Sequence, residues 1–163
     1  MIRRAPYLQT LLVTLAWIAL LELEPGPFVQ QPANMAVAAL FALLVGMLGG
    51  RRIEQVVVLL AGWIPPLAAL VLGREDMSTA GRAALEVSWG IHSLAVTVVL
   101  ARRRLRENDI SLDELWGAIA VYVMIGVTFA SVYEVFMELD PNSLTYSNLP
   151  AGTAPGFSDF LYF

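Results

Sequence analysis

The chain has 163 residues, 58% of them hydrophobic and only 15% charged, with a formal net charge of −4 and a mean hydropathy of +0.67. Soluble domains carry about 25% charged residues; a globule this small cannot hide so much apolar surface, which points to lipid as the solvent and excludes a soluble enzyme or a nucleic-acid binder. With no cysteine and one histidine, disulfide frameworks, thiolate metal sites, cysteine nucleophiles and histidine-based metal centres are excluded as well.

Five apolar stretches, residues 6–23, 34–50, 53–73, 83–101 and 114–139, approach the roughly 20 residues that cross about 30 Å of hydrocarbon as a helix. The expected fold class is an all-α integral membrane protein. The first stretch follows Arg3 and Arg4 and reads as an uncleaved span, because Leu21-Glu22-Leu23-Glu24-Pro25 offers no small-residue cleavage site. Glu24-Pro25-Gly26-Pro27 then interrupts the helix.

The second stretch is short and has to begin early or stand nearly upright. Ala38, Ala42, Gly46 and Gly50 form a ridge of small residues on it, which lets helix backbones approach closely. The ridge serves either packing within the chain or a dimer interface. Gly49-Gly50-Arg51-Arg52 is a tight polar turn into the third stretch, where Pro65-Pro66 removes backbone donors and kinks the helix. Gly73-Arg74-Glu75-Asp76 opens the next loop.

The fourth stretch carries Glu86 near its outer end and His92 near its middle. Intramembrane ionisable groups are functional candidates. For His92 the readings are a proton relay or pH sensor, against a neutral imidazole hydrogen-bonded in the bundle, for example to Ser88. Glu86 is expected at the interface, within reach of Arg82. A voltage sensor needs arginine at every third position through the apolar stretch; here the arginines cluster after it, at 102–106, so voltage sensing by this helix is not expected.

A charged linker, Arg102 to Asp109, leads to Ser111-Leu112-Asp113-Glu114, which fits a capping box, with Ile110 and Leu115 as a hydrophobic staple. The fifth stretch follows. Glu134 and Glu138, four apart, and Asp140 lie towards its far end. They read either as an outer vestibule that concentrates cations or as a solvated helix end.

All ten basic residues are arginine. Eight of them (Arg3, Arg4, Arg51, Arg52, Arg102, Arg103, Arg104 and Arg106) fall on one side of the alternating spans, and Arg74 and Arg82 on the other. The excess of arginine in cytoplasmic loops orients the chain with its N-terminus inside and residues 140–157 outside.

After a turn-rich segment, Ser158 caps a short run, Ser158-Asp159-Phe160-Leu161-Tyr162-Phe163. The stretch ISLDELWGAIAVYVMIGVTFASVYEVF, the loop, and GFSDFLYF resemble the pore domain of bacterial ion channels of the potassium-channel family. The resemblance covers about residues 110–163. It implies an outer helix, a turret, and the start of a re-entrant pore helix at Ser158, Asp159, Phe160, Leu161, Tyr162 and Phe163. It further implies a four-helix N-terminal membrane domain over 1–106, a partial pore domain over 107–163, a homo-tetramer when complete, K+ as the permeant ion, no cofactor, and a bacterial plasma membrane. The family's glycine–tyrosine–glycine filter does not occur in these residues. The chain therefore reads as cut off inside the pore helix and is expected not to conduct alone. The alternative is a five-span protein that is no channel, either transporter-like or an accessory subunit. A membrane enzyme is not expected, since no nucleophile or metal constellation accompanies Glu86 and His92.

Overall fold

The computed structural model describes residues 6–22, 27–73, 76–106 and 111–140. These form five α-helices and, among the described residues, no strand: α1 (Pro6–Glu22), α2 (Pro27–Met47), α3 (Arg52–Leu72), α4 (Thr79–Arg104) and α5 (Leu112–Leu139). The turret, the pore-helix residues Ser158 to Phe163, Ile110 of the expected staple, and Arg3, Arg4 and Arg74 lie outside the described residues.

Four helices have the length and apolar composition to cross a membrane, over Val29–Met47, Arg52–Leu72, Thr79–Arg104 and Leu112–Leu139. This supports a multi-pass membrane protein. The first helix, at 17 residues, is shorter than expected of a span: at 1.5 Å per residue it reaches about 25 Å.

Of the boundaries that differ from the sequence expectation, two show why. Helix α2 begins at Pro27 and runs through Pro32, seven residues before 34, which is the early start of the two options its short apolar stretch left open. Proline is well suited to the first helical position, where its missing N–H has no helical partner to lose. At the other departure, α4 continues to Arg104, so the first three arginines of the expected linker form its last turn. Arginine is a good helix former and its charge complements the negative helix end.

The helices run up and down. Each packs on its neighbour in sequence, α5 returns to close against α1, and α2 touches α4 across the middle. Gly49, with a φ of 76°, makes the reversal between α2 and α3, and Gly50 N–H reaches Val45 O at 2.8 Å. The interior holds Leu11, Phe41, Val45, Val58, Val96, Leu100, Met124 and Val127. Exposed Leu43, Ile64, Val71, Tyr122 and Phe129 cover the outside. An apolar core inside an apolar exterior is the pattern of a bundle whose solvent is lipid.

The ridge on α2 is used within the chain. Ala38 and Ala42 are buried, and a Cβ on Gly62 of α3 would come within 2.5 Å of the Ala38 Cβ. A Cβ on Gly46 would run into the Gln55 side chain.

Candidate functional site

Helix α4 places its polar residues on two inward faces. His92 is fully buried, with an exposure of 0%. Its Nδ1 lies 2.7 Å from the Val58 carbonyl oxygen of α3. A carbonyl only accepts, so Nδ1 carries the proton and donates. The Nε2 atom, in turn, has no hydrogen-bond partner among the described residues. The ring meets Phe41 edge-on at 5.5 Å and Trp89 at 5.4 Å. Trp17 stacks on Trp89 with centroids 5.2 Å apart and donates its indole N–H to Asn34 Oδ1 at 3.2 Å. Gly62 makes room for the imidazole, since a Cβ there would approach Nδ1 to 2.7 Å. The site is a histidine held in an aromatic box built by α1, α2 and α4 and backed by α3.

Ser88, one turn before His92, was the expected partner of the imidazole. It donates instead to the Ala61 carbonyl at 2.8 Å. Pro65 explains the choice. It lacks the N–H that would bond Ala61 O, and a hydroxyl from the neighbouring helix fills the gap. The helix continues through both prolines.

Glu86, expected at the interface, is buried against the bundle at 8% exposure. Arg82 turns to another helix, donating Nε to Glu138 Oε2 of α5 at 2.6 Å and Nη1 to Met77 O at 3.0 Å. The end of α5 abuts the start of α4, which brings this carboxylate to Arg82. Of the three expected vestibule carboxylates, Glu138 is thus in an ion pair. Glu134 is half-buried, and Asp140 is exposed as the C-cap of α5. No group of three or more acidic or histidine side chains is arranged to hold a metal ion among the described residues.

The opposite end of the bundle gathers the arginines. Arg102 pairs with Glu54, and Arg103 donates to Met47 O at 3.1 Å with its guanidinium 5.8 Å from the Tyr7 ring centre. The expected capping box is present: Ser111 N–H reaches Glu114 Oε2 at 2.6 Å, and Glu114 N–H meets Ser111 Oγ at 3.4 Å. Asp113 Oδ1 accepts the Leu8 N–H at 3.2 Å, which satisfies a donor that the first turn of α1 cannot bond internally. A pocket of about 320 Å³ lies among Tyr7, Met47, Arg103, Ser111, Asp113 and Glu114.

Among the links that escaped the sequence reading are Trp17 to Asn34 and Leu8 to Asp113. Asn34 is a buried amide in a largely apolar helix, which signals a buried partner without naming it. Nothing in the sequence pairs Asp113 with a residue 105 positions away.

No protein-family model, no curated protein and no solved structure matches the chain.

Proposed function

We propose that this chain is a subunit of a potassium-channel-like cation channel, with α5 as the helix outside the pore. The observation that carries this reading is α5 itself. It is a 28-residue helix opened by a complete capping box at the arginine-rich end, and the sequence after it, GFSDFLYF, resembles the start of a re-entrant pore helix. Arginines on α4 are confined to Arg82 near its start and Arg102, Arg103 and Arg104 in its last turn, so gating on this reading is not driven by charge moving on α4. The chain lies in a bacterial plasma membrane with its arginine-rich end inside, and four copies surround one pore. Ion selection requires a ring of backbone carbonyls, and residues 1–163 contain no glycine–tyrosine–glycine segment to supply one.

The test has two parts. Liposomes holding the purified 163-residue protein are expected to pass no potassium-selective current. The coding sequence after Phe163 is expected to continue with a threonine–glycine–tyrosine–glycine segment and a further apolar span. A selective current from the 163 residues would overturn the first expectation, and a stop codon directly after Phe163 in an intact gene the second.

A second reading is favoured by the closed ring of helices around His92. A five-helix accessory or transporter-like protein keeps a buried imidazole with one open nitrogen for its own use. The stop codon would favour this reading.

A further inference from the structure

We infer that the arginine-rich end of the bundle binds the phosphate headgroups of anionic phospholipids, chiefly through Arg51, Arg52 and Arg106. All three are exposed. They stand where α3 begins and α4 has just ended, two points tied together by the ion pair between Arg102 and Glu54.

The acidic side chains described at this end are committed to internal bonds. Glu54 accepts from Arg51 N–H at 2.7 Å as well as from Arg102. Asp113 takes the Leu8 N–H, and Glu114 closes the capping box. Neither Arg52 nor Arg106 is in an ion pair among the described residues. Among the described residues this end therefore carries more positive than negative charge, with Arg51, Arg52, Arg102, Arg103, Arg104 and Arg106 against Glu54, Asp113 and Glu114. Among the described residues the other end has the opposite balance, with Arg82, paired to Glu138, against Asp76, Glu134, Glu138 and Asp140.

Two features select phospholipid as the occupant. The cations are all guanidinium, whose planar fork bonds two phosphate oxygens at once. Beside them lie large apolar side chains facing outward, Ile53 at 64% exposure and Leu105 at 85%. An ion in water has no use for those; an acyl chain below a headgroup does. Basic clusters at a membrane surface attract anionic lipid by about fivefold per charge.

This inference rests on the membrane reading of the chain, and the experiment separates the two. Protein is reconstituted in phosphatidylcholine bilayers, checked for resistance to alkaline extraction, then examined by native mass spectrometry after titration with phosphatidylglycerol. Wild type is expected to retain phosphatidylglycerol over phosphatidylcholine. The triple variant Arg51→Gln/Arg52→Gln/Arg106→Gln is expected to lose that preference by about a hundredfold, while Arg82→Gln keeps it. Millimolar inorganic phosphate is expected not to compete. Protein that leaves the bilayer on alkaline extraction refutes the membrane reading and this inference together. Protein that stays but shows equal retention of both lipids, or an unchanged preference in the triple variant, refutes only the inference. So does full displacement by phosphate, which would make this a site for the free ion.

Discussion

The Ser88 hydroxyl donates to the Ala61 carbonyl at 2.8 Å, the carbonyl that Pro65 deprives of its helical donor. One side chain on α4 thus repairs a backbone gap on α3, and His92, a turn further on, bonds the same helix at Val58. Ser88→Ala leaves the Ala61 carbonyl without that partner. The expected cost is about 0.5–2 kcal/mol, read as a lower unfolding midpoint in detergent. Pro65→Ala in the Ser88→Ala background restores the N–H and is expected to recover most of the loss. A double variant no more stable than Ser88→Ala would show that the hydroxyl is not compensating for the proline.

Two glycines on facing helices are expected to respond differently to the same methyl group. At Gly62 the added Cβ meets the Ala38 Cβ at 2.5 Å and the His92 ring at 2.7 Å, both fixed in the core, so Gly62→Ala costs about 1–3 kcal/mol through overpacking. At Gly46 the obstacle is the flexible end of Gln55, which swings aside, and Gly46→Ala is expected to be close to neutral. Unfolding midpoints of the two variants, measured side by side, decide the point.

Arg82 and Glu138 tie the start of α4 to the end of α5 across 2.6 Å, with side chains 29% and 16% exposed. A double-mutant cycle on Arg82→Gln and Glu138→Gln is expected to give a coupling of about 1 kcal/mol that weakens with added salt. Additive single variants would mean that the pair adds nothing.

Ser111 caps α5 with its hydroxyl while Glu114 returns the bond. Ser111→Ala is expected to cost about 1 kcal/mol, and Ser111→Asp to keep most of the stability. The comparison isolates capping from other effects of the position.

Since the chain has no cysteine, single introduced thiols give clean labelling. On the proposed orientation, Asp76→Cys is labelled by an impermeant maleimide in intact cells, and Arg51→Cys only after permeabilisation. Both positions are exposed. The reverse pattern would invert the assigned topology.

The helices were legible because an apolar run bounded by Gly, Pro and arginine is a strong signal. The capping box at Ser111 was legible too, since its two partners are three residues apart. The start of α2 was not. Gln30, Gln31 and Pro32 look like a loop by composition, yet a helix tolerates them in its first turns, and hydropathy records solvent preference rather than backbone continuity. The environment of His92 was half legible. Its place inside the bundle followed from the span, but its partner did not, because the choice between Ser88 and Val58 O depends on how α3 lies against α4. Arg82 shows the same limit: its spacing from Glu86 suggested a contact within α4, while its bond to Glu138 depends on how α5 approaches.

A methyl on Gly117 of α5 would stand 3.0 Å from the Tyr7 ring of α1, and Asp113 bonds Leu8 close by. Helix α1 is therefore seated by α5, through a bond that spans 105 positions. Until α5 is made, Tyr7, Thr10 and Thr14, all buried in the finished bundle, have no α5 surface to pack against. Insertion of α1 is then an early event and its anchoring a late one, with three helices threaded in between. A nascent chain halted before residue 112 is expected to hold α1 loosely, open to capture by quality-control proteases until synthesis resumes.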